Sequence, residues 1–458
     1  MARSRLLAVF AFVAALLVVA APAAQAAPTT DPADAAAGWL ASRLADGSHF
    51  EQDFGDAGVF PDQGLTLDAV LAFAAAGSGA DNATAAMTWL GTGTLLTEYA
   101  GDGTSFSDAG RLAKVAYAAL VTGGDPHDVA GVDVLGRLSE QLTASGRFSD
   151  LPAGSDYSNA FGQAFALLAL ARTPAGVPAS AVAFLAGSAC PDGGFPLDYG
   201  KPECTPDTDA TAMVVQALAV PGGDAAAAAR GVGWLVAQQA GDGSFSGTGT
   251  TASPNANSTG LAAQALRAAG RTGEADAAVA WLTARQSGCT APAGQQGAVA
   301  YDASGFDAGN AVRATTQAVL GLSGVGLAEL SLTGATGPAS TLDCAGSPPP
   351  SGSPTGSPTG SPTASPSASP TVSPTVSPTG PTTRPTPRPT ATPAPSTVLP
   401  APTTTAAPVL PVPAPPTQPA AGSLPETGAD VLPVFWTGAG LVLVGAVAVV
   451  AGRRRRTS

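Results

Sequence analysis

The chain has 458 residues, 45% hydrophobic, 12% charged and 5% aromatic, with a formal charge of −13. Residues 31–345 are far more acidic, with 12 Lys and Arg against 31 Asp and Glu, a net charge of −19. Such a surface repels nucleic acid and anionic lipid, so no nucleic-acid partner is expected. The segment is also too long for one simple core unless it is a repeat or a barrel.

In chain order, residues 1–26 ("MARSRLLAVFAFVAALLVVAAPAAQA") give a basic start, an apolar run and an A-x-A ending. This is the pattern of a secretory signal peptide cut after Ala26. Residues 27–345 then carry two alternating apolar series, each recurring about every 50 residues. The first series includes "AAAGWLASRL", "AAMTWLGTG", "SAVAFLAGS", "RGVGWLVAQQ" and "AAVAWLTARQ", with an aromatic–Leu pair at Trp39, Trp89, Phe184, Trp234 and Trp281. One member departs from this, with Leu135 and Leu138 in its place. The second series, such as "LTLDAVLAFAAAG" and "STGLAAQALRAAG", is rich in small residues almost all round.

Apolar positions in both series follow i, i+3, i+4 spacing, which predicts helices, the second set packed on several sides. Turns such as "GDGTSF" and "GDGSF" separate them, with Asp and Gly for the reversal and a Phe to plug the core. Six outer–inner hairpins predict an all-α (α/α)6 toroid, with an open helical solenoid as the alternative. The acidic cluster Asp46, Glu51, Asp53 and Asp56 lacks the spacing of a calcium loop and reads as a solvated turn.

The repeat "WLVAQQAGDGSF…NSTGLAAQAL" resembles the prenyltransferase/squalene-cyclase repeat of α/α toroids. That family includes terpene cyclases, protein prenyltransferase β subunits and cobalamin carriers. The resemblance spans residues 31–345 and implies the fold; one fold hosts many sites. It also implies a question about "TPDTDATAMVVQAL" at 205–218. Class II cyclases of this fold use D-x-D-D-T-A, whose middle Asp protonates an alkene or epoxide. Asp207, Asp209, Thr211 and Ala212 match the motif, but Ala210 replaces a carboxylate. Asp209 is thus the one catalytic candidate, and a weak one.

Asp, Asn and Ser recur just before other inner helices, where they suit N-caps and the helix dipole. In a closed ring those N-termini share one mouth, which predicts a ligand rim of Asp156, Tyr157, Asn159, Asp207, Asp209, Asn255, Asn257, Asp307 and Asn310. A sugar-processing site needs two suitably separated carboxylates, and no pair can be picked. The expectation is a non-catalytic domain that binds a small ligand, a glycan or a wall component. The alternative is an enzyme of the cyclase or glycoside-processing kind.

Four cysteines suit an oxidising compartment. The pairing expected is Cys190–Cys204 and Cys289–Cys344, the second tying back the last segment. No C-x-x-C exists and both histidines lie far from the cysteines, so neither a metal nor a cofactor is expected.

Residues 346–421 are rich in Pro, Ser and Thr and read as an extended stalk of polyproline II character. Its roughly 75 residues would span about 200 Å. Leu424, Pro425, Glu426, Thr427 and Gly428 spell LPETG, followed by an apolar run at 431–451 and a basic tail at 452–458. The three parts together resemble the cell-wall sorting signal of Gram-positive surface proteins. That resemblance implies sortase cleavage after Thr427 and covalent attachment to peptidoglycan through Thr427. The implied location is the cell wall, reached from a precursor held in the membrane; an ordinary type I membrane protein is the alternative.

Overall fold

The two apolar series form the helices that their spacing demands. A computed structural model describes residues 26–152 and 156–345, which hold 13 α-helices and one two-stranded sheet. These residues fall in one compact unit, 1–351. The stalk, the LPETG motif, the apolar run at 431–451, the basic tail and most of the signal sequence lie outside the described residues. Among the described residues no helix is long and apolar enough to cross a membrane.

The inner series becomes α2 (Gln63–Ala76), α5 (Ala109–Val121), α7 (Ala160–Leu170), α9 (Thr208–Leu218), α11 (Ala256–Ala268) and α13 (Ala308–Ser323). The outer series becomes α1 (Pro32–Ala41), α3 (Ala80–Leu90), α6 (Val134–Glu140), α8 (Ala179–Gly187), α10 (Ala225–Gln238) and α12 (Thr272–Thr283). Burial separates the two sets. Every residue of α9 except Asp209 is buried, whereas α10 buries only Ala227, Ala228, Gly231 and Leu235. Small residues let an inner helix touch an outer helix, two neighbours and the ring axis at once. Each fully buried Leu, such as Leu167 or Leu168, contributes about 1.5–3 kcal/mol.

Each inner helix packs on the next, and α13 packs on both α11 and α2, which closes the circuit. Between α11 and α13 the backbones nearly touch: a Cβ on Gly260 would lie 2.3 Å from the Gln317 carbonyl oxygen. The turns repeat the closure. Gly243, at φ 90°, lies against α12, where a Cβ would come 2.4 Å from the Ala277 carbonyl. Gly297, at φ 92°, meets α1 in the same way, 2.4 Å from the Ala35 carbonyl. Trp39 Nε1 also donates to the Gly294 carbonyl at 2.8 Å. The last repeat therefore contacts the first as an internal repeat contacts its successor, consistent with an α/α toroid.

A further regularity fixes the turns. The N–H groups of Phe50, Phe195, Phe245 and Val299 donate to the hydroxyls of Thr66, Thr211, Thr259 and Thr315 at 2.9–3.0 Å. Phe148 N–H uses Gln163 Oε1 instead, at 3.0 Å. Phe106 breaks the expectation that every turn Phe plugs the core, for it is 37% exposed. Its N–H donates to Asp102 within its own turn, at 3.2 Å.

Three elements go beyond the hairpins. A β-hairpin of β1 (Phe50–Asp53) and β2 (Val59–Asp62) leads into α2. A short α4 (Leu95–Ala100) precedes α5. Residues 324–345 cross the C-terminal ends of the inner helices. Leu327 N–H donates to Gln216 Oε1 on α9 at 2.8 Å, and Gln264 Nε2 on α11 donates to the Val325 carbonyl at 2.7 Å. Arg172 Nη2, just past α7, donates to the Leu330 carbonyl at 2.8 Å, and Tyr117 on α5 donates to the Leu327 carbonyl. Leu332 N–H reaches the Val121 carbonyl at 3.0 Å. Leu327 and Leu330 of this strap are buried. Disulfides join Cys190 to Cys204 and Cys289 to Cys344, and the second holds the strap's end.

Candidate functional site

Hydrogen bonds place the inner-helix N-termini at one mouth. Ala109 N–H, opening α5, donates to Asp150 in the turn before α7 at 2.8 Å. Ala160 N–H, opening α7, reaches Leu197 in the turn before α9 at 2.9 Å. Thr208 Oγ1, opening α9, donates to Ser246 before α11 at 2.6 Å. Ala256 N–H, opening α11, donates to Tyr301 before α13 at 2.7 Å. Four of the six helix starts are thus tied to the next repeat's turn.

The rim residues separate by role. Asp207, Asn159, Asn255 and Asp307 are N-caps, accepting from first-turn N–H groups such as Ala210 and Ser258. Asp207 also accepts from Thr248 Oγ1 at 2.7 Å. Asn310 is exposed and donates to Asp307. Asp156 accepts from the N–H groups of Asp150 and Ser158 and pairs with Arg147 at 3.2 Å. Tyr157 is 66% exposed.

Asp209 and Asn257 stand in the first turns of α9 and α11 without being the caps. Asp207 and Asn255 already hold the caps, and the other two lie one turn position inside. Their direction follows from register. Thr211 and Thr259 face the outer turns they anchor, and a helix advances about 100° per residue. Two residues earlier, Asp209 and Asn257 stand about 200° away, on the side toward the ring axis. Phe161 before Gln163 and Arg313 before Thr315 occupy the same register. Asp209 Oδ1 and Asn257 Oδ1 are both sealed from solvent and have no hydrogen-bond partner. So is Gln317 Oε1, four residues beyond Arg313 on the same helix face. An unmatched buried acceptor costs about 1–3 kcal/mol.

Burial, and then the charge of Asp207, push the Asp209 carboxyl well above the usual carboxylate range, while a hydrogen bond with Ser258 opposes the shift. Burial also raises Asp150 to about 6, with Asp108 adding to it and the N–H groups of Ala109 and Tyr157 opposing. Thr211, the Thr of the cyclase-like motif, is the turn anchor that recurs as Thr66, Thr259 and Thr315. Its presence is therefore explained by the repeat.

Among the described residues no group of three or more His, Cys, Asp or Glu could hold a metal ion, and the 46–56 cluster lies partly in the β-hairpin. Two surface hollows of about 410 and 340 Å³ lie away from Asp209 and Asn257. One sits between α8 and the turn into α9, the other between the end of α12 and the turn into α13. Arg313, Gln317 and Ser258 were not singled out from the sequence. Counting back from the recurring Thr would have found the first.

No protein-family model matches the chain, and no curated protein matches it. Solved structures to which the chain is similar include the type II terpene cyclase MstE from Scytonema, at 15% identity over 64% of this chain and 96% of that one, with a TM-score of 0.48. Unsaturated glucuronyl hydrolase from Bacillus sp. GL1 matches at 12% identity over 64% and 94%, with a TM-score of 0.44. The ent-copalyl diphosphate synthase from Streptomyces platensis matches at 20% identity over 57% and 51%, with a TM-score of 0.39. At such similarity no residue role passes from them to this chain.

Proposed function

We propose that this is a secreted, peptidoglycan-anchored surface protein whose helical domain, an (α/α)6 toroid, binds a hydroxyl-bearing small ligand or glycan without chemical conversion. Sortase joins it to the wall through Thr427, and the stalk at 346–421 carries the domain outward. The sequence pattern supports the anchoring. Replacing Thr427 by Ala should release the protein from the wall fraction, and its retention there would refute sorting.

One observation carries the binding reading. Asp209 Oδ1 and Asn257 Oδ1, at equivalent positions on neighbouring helices, are buried acceptors without a donor. A ligand hydroxyl supplies the missing donor to each. The test is a thermal-shift screen of the full chain against glycans, cobalamins and isoprenoids, repeated with Asp209→Asn and Asn257→Ala. Binding that weakens in both variants supports the site. Unchanged melting with every class counts against it.

Acid catalysis is the second reading, favoured by the upward shift of the Asp209 pKa, which holds its proton to higher pH than an ordinary carboxyl. The same shift makes Asp209 a poor donor, whereas protonating an alkene demands a strong acid. Ala210 also leaves the motif short of one carboxylate. Product formation from a polyprenyl substrate, lost in Asp209→Asn, would establish the enzyme instead.

A further inference from the structure

All five exposed large hydrophobic residues among those described fall in three consecutive turns at the N-terminal mouth. Phe54 and Val59 (40% and 55% exposed) lie in the hairpin region before α2. Phe106 (37%) lies before α5, and Leu151 and Tyr157 (41% and 66%) before α7. Ser107 and Leu151 join two of these turns through paired backbone hydrogen bonds of 3.0 and 2.9 Å. The turns into α9, α11 and α13 expose no comparable residue. The mouth is therefore two-sided, apolar over α2, α5 and α7, with the unmatched acceptors Asp209 and Asn257 on α9 and α11. Exposed apolar residues gathered this way mark an interaction surface.

Charge says what covers it. Residues 45–62, 101–108, 143–152 and 156–159 hold nine carboxylates and one Arg or Lys, Arg147. Of the carboxylates, Asp62 and Asp108 cap helices and Asp150 is buried, while Arg111 pairs with Asp108 and Arg137 lies against Gly103. Arg147 is occupied by Asp156 and Ser158. Asp53, Asp56 and Asp102 are exposed beside Phe54, Val59 and Phe106. A second copy, with net −19 over residues 31–345, is repelled, as are anionic lipid and nucleic acid. We propose that this arc docks a cationic amphipathic peptide segment, its apolar side on Phe54, Val59, Phe106, Leu151 and Tyr157 and its lysines or arginines among the carboxylates. The surface is distinct from Asp209 and Asn257, so its failure would leave the ligand reading standing.

The test is fluorescence anisotropy with the full chain and a labelled Leu/Lys peptide about 18 residues long, with Leu at i, i+3, i+4 spacing. A Ser/Lys version removes the apolar face, and a Leu/Glu version reverses the charge. The Leu/Lys peptide should bind, with both controls weaker by about tenfold or more. Val59→Ser with Tyr157→Ser should weaken binding by about tenfold with an unchanged melting temperature, since both side chains are more than half exposed. Glu51→Gln with Asp56→Asn should weaken it at low salt and matter little at high salt. No binding by the Leu/Lys peptide, equal binding by the Ser/Lys peptide, or indifference to the Val59/Tyr157 pair would each overturn the proposal.

Discussion

The two mouths of the ring treat their polar groups in opposite ways. At the C-terminal mouth Gln216, Gln264 and Tyr117 are buried or partly buried, and each bonds to the strap at 324–345. Arg172 donates three hydrogen bonds to the strap through Nη2, though its Nε stays unmatched. At the N-terminal mouth Asp209 and Asn257 face inward with sealed, unmatched oxygens. Both ends are built on the same helices, so the helices alone do not determine the difference. One end carries a covering segment from its own chain; among the described residues the other carries no such segment.

The strap makes the strongest test of that contrast. Leu327→Ala or Leu330→Ala should each cost about 2–5 kcal/mol in urea unfolding, because both side chains are buried and the cavity cannot fully collapse. A cost within about 0.5 kcal/mol, typical of surface positions, would mean the strap only rests on the ring. Cys289→Ser with Cys344→Ser opens a 55-residue separation and should cost about 2–4 kcal/mol. In that variant, where Cys190–Cys204 stays intact, hydrogen exchange should show the strap's end loosening first.

Asp207→Ala should cost about 1 kcal/mol through the lost cap, measured by chemical unfolding. The smallest effect has the opposite sign. A carboxyl whose folded pKa is raised stabilises the fold while protonated, fully so below its unfolded pKa, and that contribution is lost as pH rises through the folded value. Asp209→Asn mimics the protonated form. It should match the parent in melting temperature in acid and exceed it by on the order of a few °C near pH 8. A variant less stable than the parent at both pH values would mean that the hydrogen bond with Ser258 outweighs the cost of burying the charge.

Much of this architecture was legible in residue spacing. The Trp39, Trp89, Trp234 and Trp281 pairs marked outer helices, and runs of small residues marked inner ones, because the two burial environments select different side chains. The cysteine pairing was legible as well. The β-hairpin was not, since "FEQDFGDAGVFPD" is acidic and reads as a solvated turn. The tie at the strap's end was legible in Cys289 and Cys344, but its course over the inner helices was not, because Leu327 and Leu330 carry no periodicity in so short a stretch. The candidate site was half legible. Asp207 and Asp209 look alike in sequence, and only helical register against Thr211 shows that one caps the helix and the other faces the axis.

The most direct measurement is a carbon-detected NMR titration of the Asp209 carboxyl, with and without a ligand found in the binding screen. The account predicts a free-state pKa well above that of an ordinary Asp, falling when ligand hydroxyls donate to Oδ1. An ordinary pKa in the free protein, unmoved by ligand, would contradict it.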